Sequence, residues 1–389
     1  MRILHTSDWH LGRSFHREGL LGAQATWVDH LLDVVEAERV DLVVVSGDVY
    51  DRALPQVDAV ALADDAFARL ASSRARVVLT SGNHDSAQRL GFGSRLMDAA
   101  GVHVRTDAAG VGTPILVDDA AGPVAVYGLP YLDPDLLREP WQLPGRSHEA
   151  ALGAAMSRVR ADLARRPGGT RSVVMAHAFV AGCQPSDSER DISVGGVSMV
   201  SSALFSGVSY TALGHLHGPS VVEETVRYSG SPLAYSFSEA NQRKGCWLVD
   251  LDADGVGAVE FVEAPVPRPL RLLRGELDDL LVDPVLADHE AAWLQVTLTD
   301  ARRPERAMER LRTRFPHTLA LLLEPADAPL TATPSARMQG RSAHDVTLDF
   351  VADLRGRAAT GEEAALLELA CDSCRDDPEV DTLITDHSP

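Results

Sequence analysis

Seven side chains of types that bind metals in proteins lie in five short motifs, all within the N-terminal 217 residues. They are two carboxylates, one amide and four imidazoles: Asp8, His10, Asp48, Asn83, His177, His215 and His217. This mixture of oxygen and nitrogen donors, without a thiolate, favours manganese, iron or zinc and argues against a cysteine-built zinc cluster. Seven donors are too many for one tetrahedral ion and suit two ions that share a bridging carboxylate. Such a pair, roughly 3.5–4 Å apart, is the usual clamp for phosphoester hydrolysis.

Each motif follows a run of residues that predicts a buried strand. These runs contain four to six mostly apolar residues, many of them β-branched, and end at glycine or aspartate. They cover residues 2–6, 41–46, 76–81, 172–176 and 210–213. Because α/β sheets place their ligand sites where strands end, the pattern predicts that the seven donors lie close together.

Composition limits the classes of protein that the chain can represent. A length of 389 residues with 45% hydrophobic residues predicts two or three globular units. There is no apolar stretch of about 18 residues and no signal-peptide pattern at the N-terminus, so a cytoplasmic location without a membrane partner is expected. Four cysteines are too few for a disulfide framework. The C-x-x-C spacing of Cys371 and Cys374 leaves a zinc or redox role open beside that of two ordinary cysteines.

The motifs resemble those of the calcineurin-like metallophosphoesterases and, within that superfamily, those of the SbcD-type nucleases. The resemblance is carried by residues 3–12, 186–191 and 228–232, together with the five metal-ligand motifs, and extends over residues 1 to about 250. It implies an α/β (α+β) fold in which a two-sheet β-sandwich is flanked by helices. A small α/β capping domain and a C-terminal pair of helices would complete the chain.

The same resemblance implies a role for each site residue. Asp8, His10 and His217 would hold one metal, Asn83, His177 and His215 would hold the other, and Asp48 would bridge the two ions, which are expected to be manganese. His84 would face the substrate phosphate and stabilise the transition state or protonate the leaving oxygen. Some relatives have histidine where this chain has Asp51, so a second catalytic histidine is not expected. Histidines outside the motifs are expected to be ordinary core or surface residues: His5, His16, His30, His103, His148 and His289.

The implied function is that of a DNA nuclease subunit. It would act as an exonuclease on duplex ends and as an endonuclease on single strands or hairpins, in DNA recombination, repair and replication. The implied assembly is a homodimer within a heterotetramer that also contains an SbcC-type ATPase.

The domains are predicted as residues 1–265 for the nuclease, 266–325 for a capping and DNA-binding unit, and 326–345 for a linker. In the capping unit, strands are predicted at residues 293–298 and 318–323, with a helix from 304 to 315 between them. Arg306, Arg310 and Arg314 recur at every fourth residue, which predicts a ridge on that helix. The ridge is either a contact for the DNA backbone or an ordinary solvated face.

The C-terminal segment, residues 346–389, is predicted to form two short amphipathic helices. Thr360 and Glu363 have the spacing of a capping box at the start of the second helix. Such helices bury little surface by themselves, so they would dock their apolar faces on the ATPase partner or pack back on the same chain.

The net charge of −20 is unusual for a DNA-binding protein. Phosphate contacts normally supply most of the affinity for nucleic acid, so the isolated chain is expected to bind DNA weakly and with strong salt dependence. Two alternatives remain: a small-molecule phosphodiesterase and a non-catalytic adaptor of the ATPase. The complete ligand set argues against the adaptor, and the helical tail and residues 186–191 argue against the small-molecule enzyme.

Overall fold

A computed structural model describes residues 1–193, 199–325, 342–355 and 357–375. The chain divides into two compact units, residues 1–323 and residues 324–389. Each unit is described by itself below.

The first large sheet has six strands. In spatial order they are β16 (Gly255–Glu263), β15 (Gly245–Asp252), β1 (Arg2–Thr6), β4 (Leu42–Ser46), β5 (Arg76–Thr80) and β6 (Val102–Arg105). The last four are parallel to one another, whereas β15 runs antiparallel to β1 and β16 antiparallel to β15. Helices α1 (Leu21–Ala37) and α2 (Val57–Ser72) cover its outer face through residues such as Trp27 and Leu70. Two short helices follow β5: α3 (Ala87–Leu90) and α4 (Ser94–Ala99).

The second large sheet also has six strands. In spatial order they are β13 (Ser220–Glu223), β14 (Val226–Tyr228), β12 (Tyr210–Gly214), β9 (Arg171–His177), β8 (Gly122–Gly128) and β7 (Ile115–Asp119). Its outer face packs on α6 (His148–Leu163), which begins where the Ser147 side chain accepts a hydrogen bond from the Ala150 amide. A shorter helix, α5 (Pro134–Leu137), precedes α6.

The two sheets pack face to face around one apolar layer. Ile3, Val44 and Val78 of the first sheet lie in the same buried cluster as Val173 and Tyr210 of the second. The central strands are buried on both faces, which explains why their sequences are continuously apolar instead of alternating. The predicted two-sheet α/β sandwich is therefore confirmed.

A smaller sheet of three parallel strands closes the first unit. Its strands are β17 (Leu270–Gly275), β18 (Trp293–Leu298) and β19 (Thr318–Leu323), packed with α7 (Leu277–Val282) and α8 (Ala307–Arg314) around their own core. The predicted bounds of β18 and β19 agree with the structure. The predicted helix begins later than expected, because Arg306 has a left-handed backbone conformation with φ 52°.

The remaining regular elements of the first unit are short. The two-stranded sheets pair β2 (Ser14–Phe15) with β3 (Glu18–Gly19) and β10 (Phe179–Val180) with β11 (Met199–Val200). Four 3₁₀ turns cover Ala108–Gly110, Ser202–Phe205, Phe237–Glu239 and Pro284–His289.

The second unit contains the two predicted C-terminal helices, α9 (Ala343–Arg355) and α10 (Gly361–Arg375). The capping box is formed, since the Thr360 amide donates to Glu363 and the Glu363 amide donates to the Thr360 hydroxyl. Most of the predicted linker, residues 326–341, lies outside the described residues, as does the side chain of Cys374. Among the described helices, none has the length and apolar character needed to cross a membrane.

Candidate metal centre

The seven predicted ligands come together where five strands of the two sheets end. All of them are buried except Asn83, which is half-buried. Three groups of side chains have ligand atoms within 4.8 Å of one another: Asp8 with His10 and His217, His10 with Asp48 and His84, and Asp8 with Asp48 and His177. The sequence thus predicted which residues would meet, and the binding of metal by them remains a prediction.

Asp8, His10 and His217 form one side of the cluster. The Nε2 atoms of His10 and His217 are 3.1 Å apart. Asp8 accepts hydrogen bonds from the Ser7 hydroxyl at 2.5 Å and from the His215 amide at 3.1 Å, so its carboxylate is fixed in orientation. These contacts place one carboxylate and two ring nitrogens around a common point.

Asn83, His177 and His215 form the other side. The Asn83 Oδ1 atom lies 2.8 Å from His177 Nε2 and 3.2 Å from His215 Nδ1. Asp48 lies between the two sides, because its Oδ2 atom is 3.4 Å from His177 Nε2 and 3.6 Å from His10 Nε2. This is the position that a bridging carboxylate requires.

His84 is half-buried beside this cluster. Its ring centroid lies 4.7 Å from that of His10, and its amide donates to Asp48 Oδ1 at 2.9 Å. Its Nδ1 atom lies 2.8 Å from the Asp51 carbonyl oxygen, which only a protonated Nδ1 can donate to. Nε2 is therefore the ring atom left to interact with a substrate.

The backbone of the site is strained. Asp8, His10, Asp48 and His215 have φ values of 53°, 45°, 48° and 102°, in the region that disfavours L-residues. Such residues each cost on the order of 1–3 kcal/mol and tend to occur at functional sites.

Two glycines allow the loops to approach this closely. A Cβ atom on Gly47, whose φ is +86°, would lie 2.3 Å from His177 Nδ1, and one on Gly82 would lie 2.1 Å from Asp48 Oδ1. The glycines that precede Asp48 and Asn83 are therefore needed for space, and at Gly47 also for conformation.

Burial and mutual charge shift the pKa values of the cluster. Burial raises the pKa of Asp8 to about 6, against the opposing effects of His177 and His217. Burial would also raise the pKa of Asp48, but His177 and His10 lower it further, to well below its usual value. Burial would lower the pKa of His177, but Asp48 and Asp8 raise it to about 9. A proton on His177 thus balances the Asp48 carboxylate, and a cation can replace that proton.

The donor set fits a pair of divalent ions. Carboxylate, amide and imidazole donors converge without a thiolate, in agreement with oxygen- and nitrogen-preferring metals.

Arg306, Arg310 and Arg314 lie in the small sheet unit, each paired with a carboxylate. Arg306 precedes α8 and pairs with Glu309, and Arg310 pairs with Asp278. Arg314 is 15% exposed and pairs with Glu290, while its guanidinium also donates to two main-chain oxygens. The single helical ridge that was expected is not formed, because Arg306 lies outside the helix. Their contact with DNA remains a prediction.

Several residues around the centre were not predicted. Asp85 accepts hydrogen bonds from the amides of Val49, Tyr50 and Gly82, and so joins the loops that carry Asp48 and Asn83. Ser188, Glu239 and Lys244 form a buried polar network behind His217. The available signals were the aspartate that follows His84, the 186–191 segment and the presence of only one lysine in the chain.

Residues 1–219 match the calcineurin-like phosphoesterase family. Residues 266–353 match the SbcD_C family, described as the type 5 capsule protein repressor C-terminal domain.

Three solved structures are similar to the chain. TT1561 of Thermus thermophilus has 13% identity and a TM-score of 0.39, over 67% of this chain and 98% of that one. A novel archaeal phosphodiesterase has 11% identity and a TM-score of 0.30, over 67% and 100%. GAP50, the anchor in the inner membrane complex of Plasmodium, has 12% identity and a TM-score of 0.39, over 85% and 99%. On the family matches, which cover more than half of its length, the chain belongs to the calcineurin-like phosphoesterases and has an SbcD-type C-terminal domain.

Proposed function

We propose that this chain is the nuclease subunit of an SbcCD-type complex, cleaving DNA phosphodiesters with two divalent metal ions. The observation that carries the proposal is the convergence of all seven donors at one buried centre, in a phosphoesterase that also has an SbcD-type C-terminal domain. An adaptor without catalytic function would not need this complete set. The substrates we propose are duplex ends, single strands and hairpins, processed in cytoplasmic DNA recombination, repair and replication.

Asp8, His10 and His217 would hold one ion, and Asn83, His177 and His215 the other, with Asp48 shared. Manganese suits the donors, which are hard oxygens and imidazole nitrogens. When bound, the pair supplies an activated water and stabilises charge on the phosphate oxygens. The protein fixes its donors in advance through hydrogen bonds such as that from the His215 amide to Asp8.

His84 would bind the scissile phosphate or protonate the leaving oxygen. The Asp51 carbonyl accepts its Nδ1 proton at 2.8 Å, which orients the ring and leaves Nε2 to carry a second proton to the substrate. Its partial exposure, in contrast to the six fully buried ligands, leaves it open to a bound phosphate.

Affinity for DNA must overcome the net charge of −20. Arg306, Arg310 and Arg314 are the backbone contacts that we propose, in a capping unit of residues 266–325. Arg306 and Arg310 are exposed, at 74% and 43%, and can exchange a carboxylate for a phosphate. The isolated chain would then bind DNA weakly and with strong salt dependence.

The proposed assembly is a homodimer bound to an SbcC-type ATPase. Val57 and Val60 on α2 and Phe92 and Leu96 near and on α4 are exposed apolar side chains, which suits pairing of two nuclease domains (residues 1–265). On the tail that follows the proposed linker (residues 326–345), Phe350, Leu366 and Leu369 are more than 60% exposed. These faces of α9 and α10, in the predicted docking segment of residues 346–389, are the surface that we propose for the ATPase.

The proposed activity is tested by degradation of end-labelled linear duplex DNA in manganese. Asp48→Ala should lose at least about a thousandfold in rate, because it removes the ligand shared by both ions. Asp64→Ala, an exposed aspartate on α2, is the matched control and should retain full activity.

A small phosphodiester, bis(p-nitrophenyl) phosphate, is the second substrate of this experiment. Hydrolysis of this ester with no cleavage of DNA, even with the ATPase present, would favour the small-molecule enzyme. Equal DNA cleavage by the wild type and by Asp48→Ala would contradict the site.

A further inference from the structure

His217 is held by side chains from two separate segments of the chain. Its ring Nδ1 lies 2.5 Å from the Ser188 hydroxyl, and its amide donates to Glu189 Oε1 at 2.7 Å. The same serine donates to Glu239 Oε1, which lies 3.6 Å from the His217 ring. Ser188 and Glu239 are 51 positions apart in the sequence, so this contact exists only in the folded protein.

The Glu239 carboxylate is buried and charged. It is 1% exposed and pairs with Lys244, which is 7% exposed and also donates to the His217 carbonyl at 2.8 Å. Its two oxygens face several donors, among them the Lys244 ammonium at Oε2 and the Ser188 and Ser236 hydroxyls at Oε1. Glu239 therefore accepts hydrogen bonds from all of them.

Because Glu239 accepts, the donor can be assigned in the hydrogen bonds that link it through Ser188 to His217. The single hydroxyl proton of Ser188 goes to Glu239, so the Ser188 oxygen accepts the proton on His217 Nδ1. The remaining ring nitrogen, Nε2, then has a lone pair and faces the Nε2 atom of His10 at 3.1 Å. Partners of this kind, behind a ligand histidine, fix its tautomer and its orientation.

We propose that Ser188 and Glu239 are positioning residues that hold His217 in its metal-binding tautomer, so that the loop of residues 186–189 sets the metal affinity of the Asp8, His10 and His217 group. The inference rests on the proposed function, since it requires that this group binds a metal. The loop is itself ordered by one internal hydrogen bond and by two to other segments. Ser186 donates to Glu189 within the loop at 2.5 Å, the Asp187 amide donates to Ser238 at 2.9 Å, and Arg13 donates to the Ser188 carbonyl at 2.9 Å.

His177, in the other group of ligands, is supported by the main chain instead. The ring of His177 contacts the main-chain carbonyl of Ser46, at 3.0 Å from Nδ1. Ser46 is the last residue of β4, a strand buried along its whole length. Loss of Ser188 should therefore weaken one metal and leave the other unchanged.

The test is titration of the metal-free, full-length chain with Mn²⁺ alone, followed by calorimetry and by electron paramagnetic resonance. The wild type should bind two ions. Ser188→Ala should bind one of them about 10–100-fold more weakly, the usual effect of removing such a partner. Its metal-free melting temperature should fall by only a few degrees, because two hydrogen bonds are lost but the Glu239–Lys244 pair stays intact.

Ser236→Ala is the matched control. Ser236 also donates to Glu239 Oε1, at 3.1 Å, but the structure records no contact between it and His217. This variant should bind both ions as the wild type does. Ser188→Thr keeps the hydroxyl and should restore most of the affinity, and nuclease activity of Ser188→Ala should recover at high Mn²⁺.

The outcomes separate the two proposals. Two ions bound with wild-type affinity by Ser188→Ala would overturn the positioning role and leave the proposed function standing. Equal weakening in Ser236→Ala would also overturn it, since the effect would then come from general packing. A wild-type protein that binds no Mn²⁺ would overturn the proposed function and this inference together.

Discussion

The two halves of the candidate metal centre are held in different ways. The His177 ring contacts the main-chain carbonyl of Ser46 at the end of a fully buried strand. The His217 ring contacts the Ser188 side chain, and the His217 amide donates to the Glu189 side chain, both on a loop. Ser188 in turn donates to Glu239 of the buried Glu239–Lys244 pair. We call the half of Asn83, His177 and His215 the rigid half, because His177 contacts the backbone of a core strand. The half of Asp8, His10 and His217 is the loop-held half, because it depends on a few replaceable side chains.

For the proposed two-metal centre, this difference predicts one position supported by the backbone beside one supported by side chains. A main-chain carbonyl cannot be removed by substitution, so the contact between His177 and Ser46 is lost only if the backbone moves. The contact between His217 and Ser188 can be removed by replacing one side chain. Substitutions behind the ligands are therefore expected to change metal affinity more readily in the His217 half.

The largest expected effect on the free energy of unfolding comes from a substitution behind the loop-held half. Glu239→Gln leaves the ammonium of Lys244 buried without its partner, which should cost about 3–5 kcal/mol in the free energy of unfolding. Urea unfolding of the metal-free protein measures this loss. The double variant with Lys244→Met should regain part of it, and a loss below about 1 kcal/mol would mean that the pair is not buried as described.

Gly47→Ala should instead disturb the packing around His177 in the rigid half. A new Cβ would lie 2.3 Å from His177 Nδ1, at a φ of +86°. Left-handed strain and overpacking together should lower the free energy of unfolding by roughly 2–4 kcal/mol and weaken the metal held by His177. Gly19→Ala, where a Cβ meets no atom within 4 Å, is the control. Normal metal binding by Gly47→Ala would show that the rigid half tolerates displacement.

Two strands that lead into the centre, β1 and β12, also predict a pH effect on stability. His5 accepts a hydrogen bond from the Tyr210 hydroxyl and donates to the Leu213 carbonyl, which ties β1 to β12. Burial lowers its pKa from 6.5 to about 3, so the folded protein keeps the ring neutral. This contribution is fully present above pH 6.5 and is lost as the pH falls from 6.5 towards 3. The loss should be about 2 kcal/mol by pH 5.

Comparison with His5→Gln isolates this contribution. The difference in unfolding free energy between pH 7 and pH 5 should be about 2 kcal/mol larger in the wild type than in the variant. The same pH dependence in both proteins would mean that the ring is protonated in the fold.

The smallest expected effect is on the salt dependence of DNA binding and comes from residues outside both halves. Replacement of Arg306 and Arg310 by serine should reduce the slope of log K for DNA against log salt by about 1 for each phosphate that the protein no longer neutralises. The matched control replaces Arg69 and Arg74, exposed arginines of equal charge on and after α2. An unchanged slope in the first variant, or an equal change in the control, would remove the proposed DNA contacts.

The sequence predicted the ligands of both halves better than the residues that support His217. The strands before each motif are buried on both faces, so their continuous apolar runs could be recognised, and the ligands follow them directly. Ser188, Glu239 and Lys244 belong to no periodic pattern, and only folding brings them to His217. The start of α8 was missed for a local reason, because the left-handed conformation of Arg306 has no signature in residue type.

The most direct test of the central claim is anomalous diffraction from crystals grown with manganese. Two peaks are expected in each chain, with Asp48 as a ligand of both ions. Asp8, His10 and His217 should complete one ion, and Asn83, His177 and His215 the other. A single peak, two ions that do not share Asp48, or manganese bound elsewhere in the chain would contradict the two-metal centre.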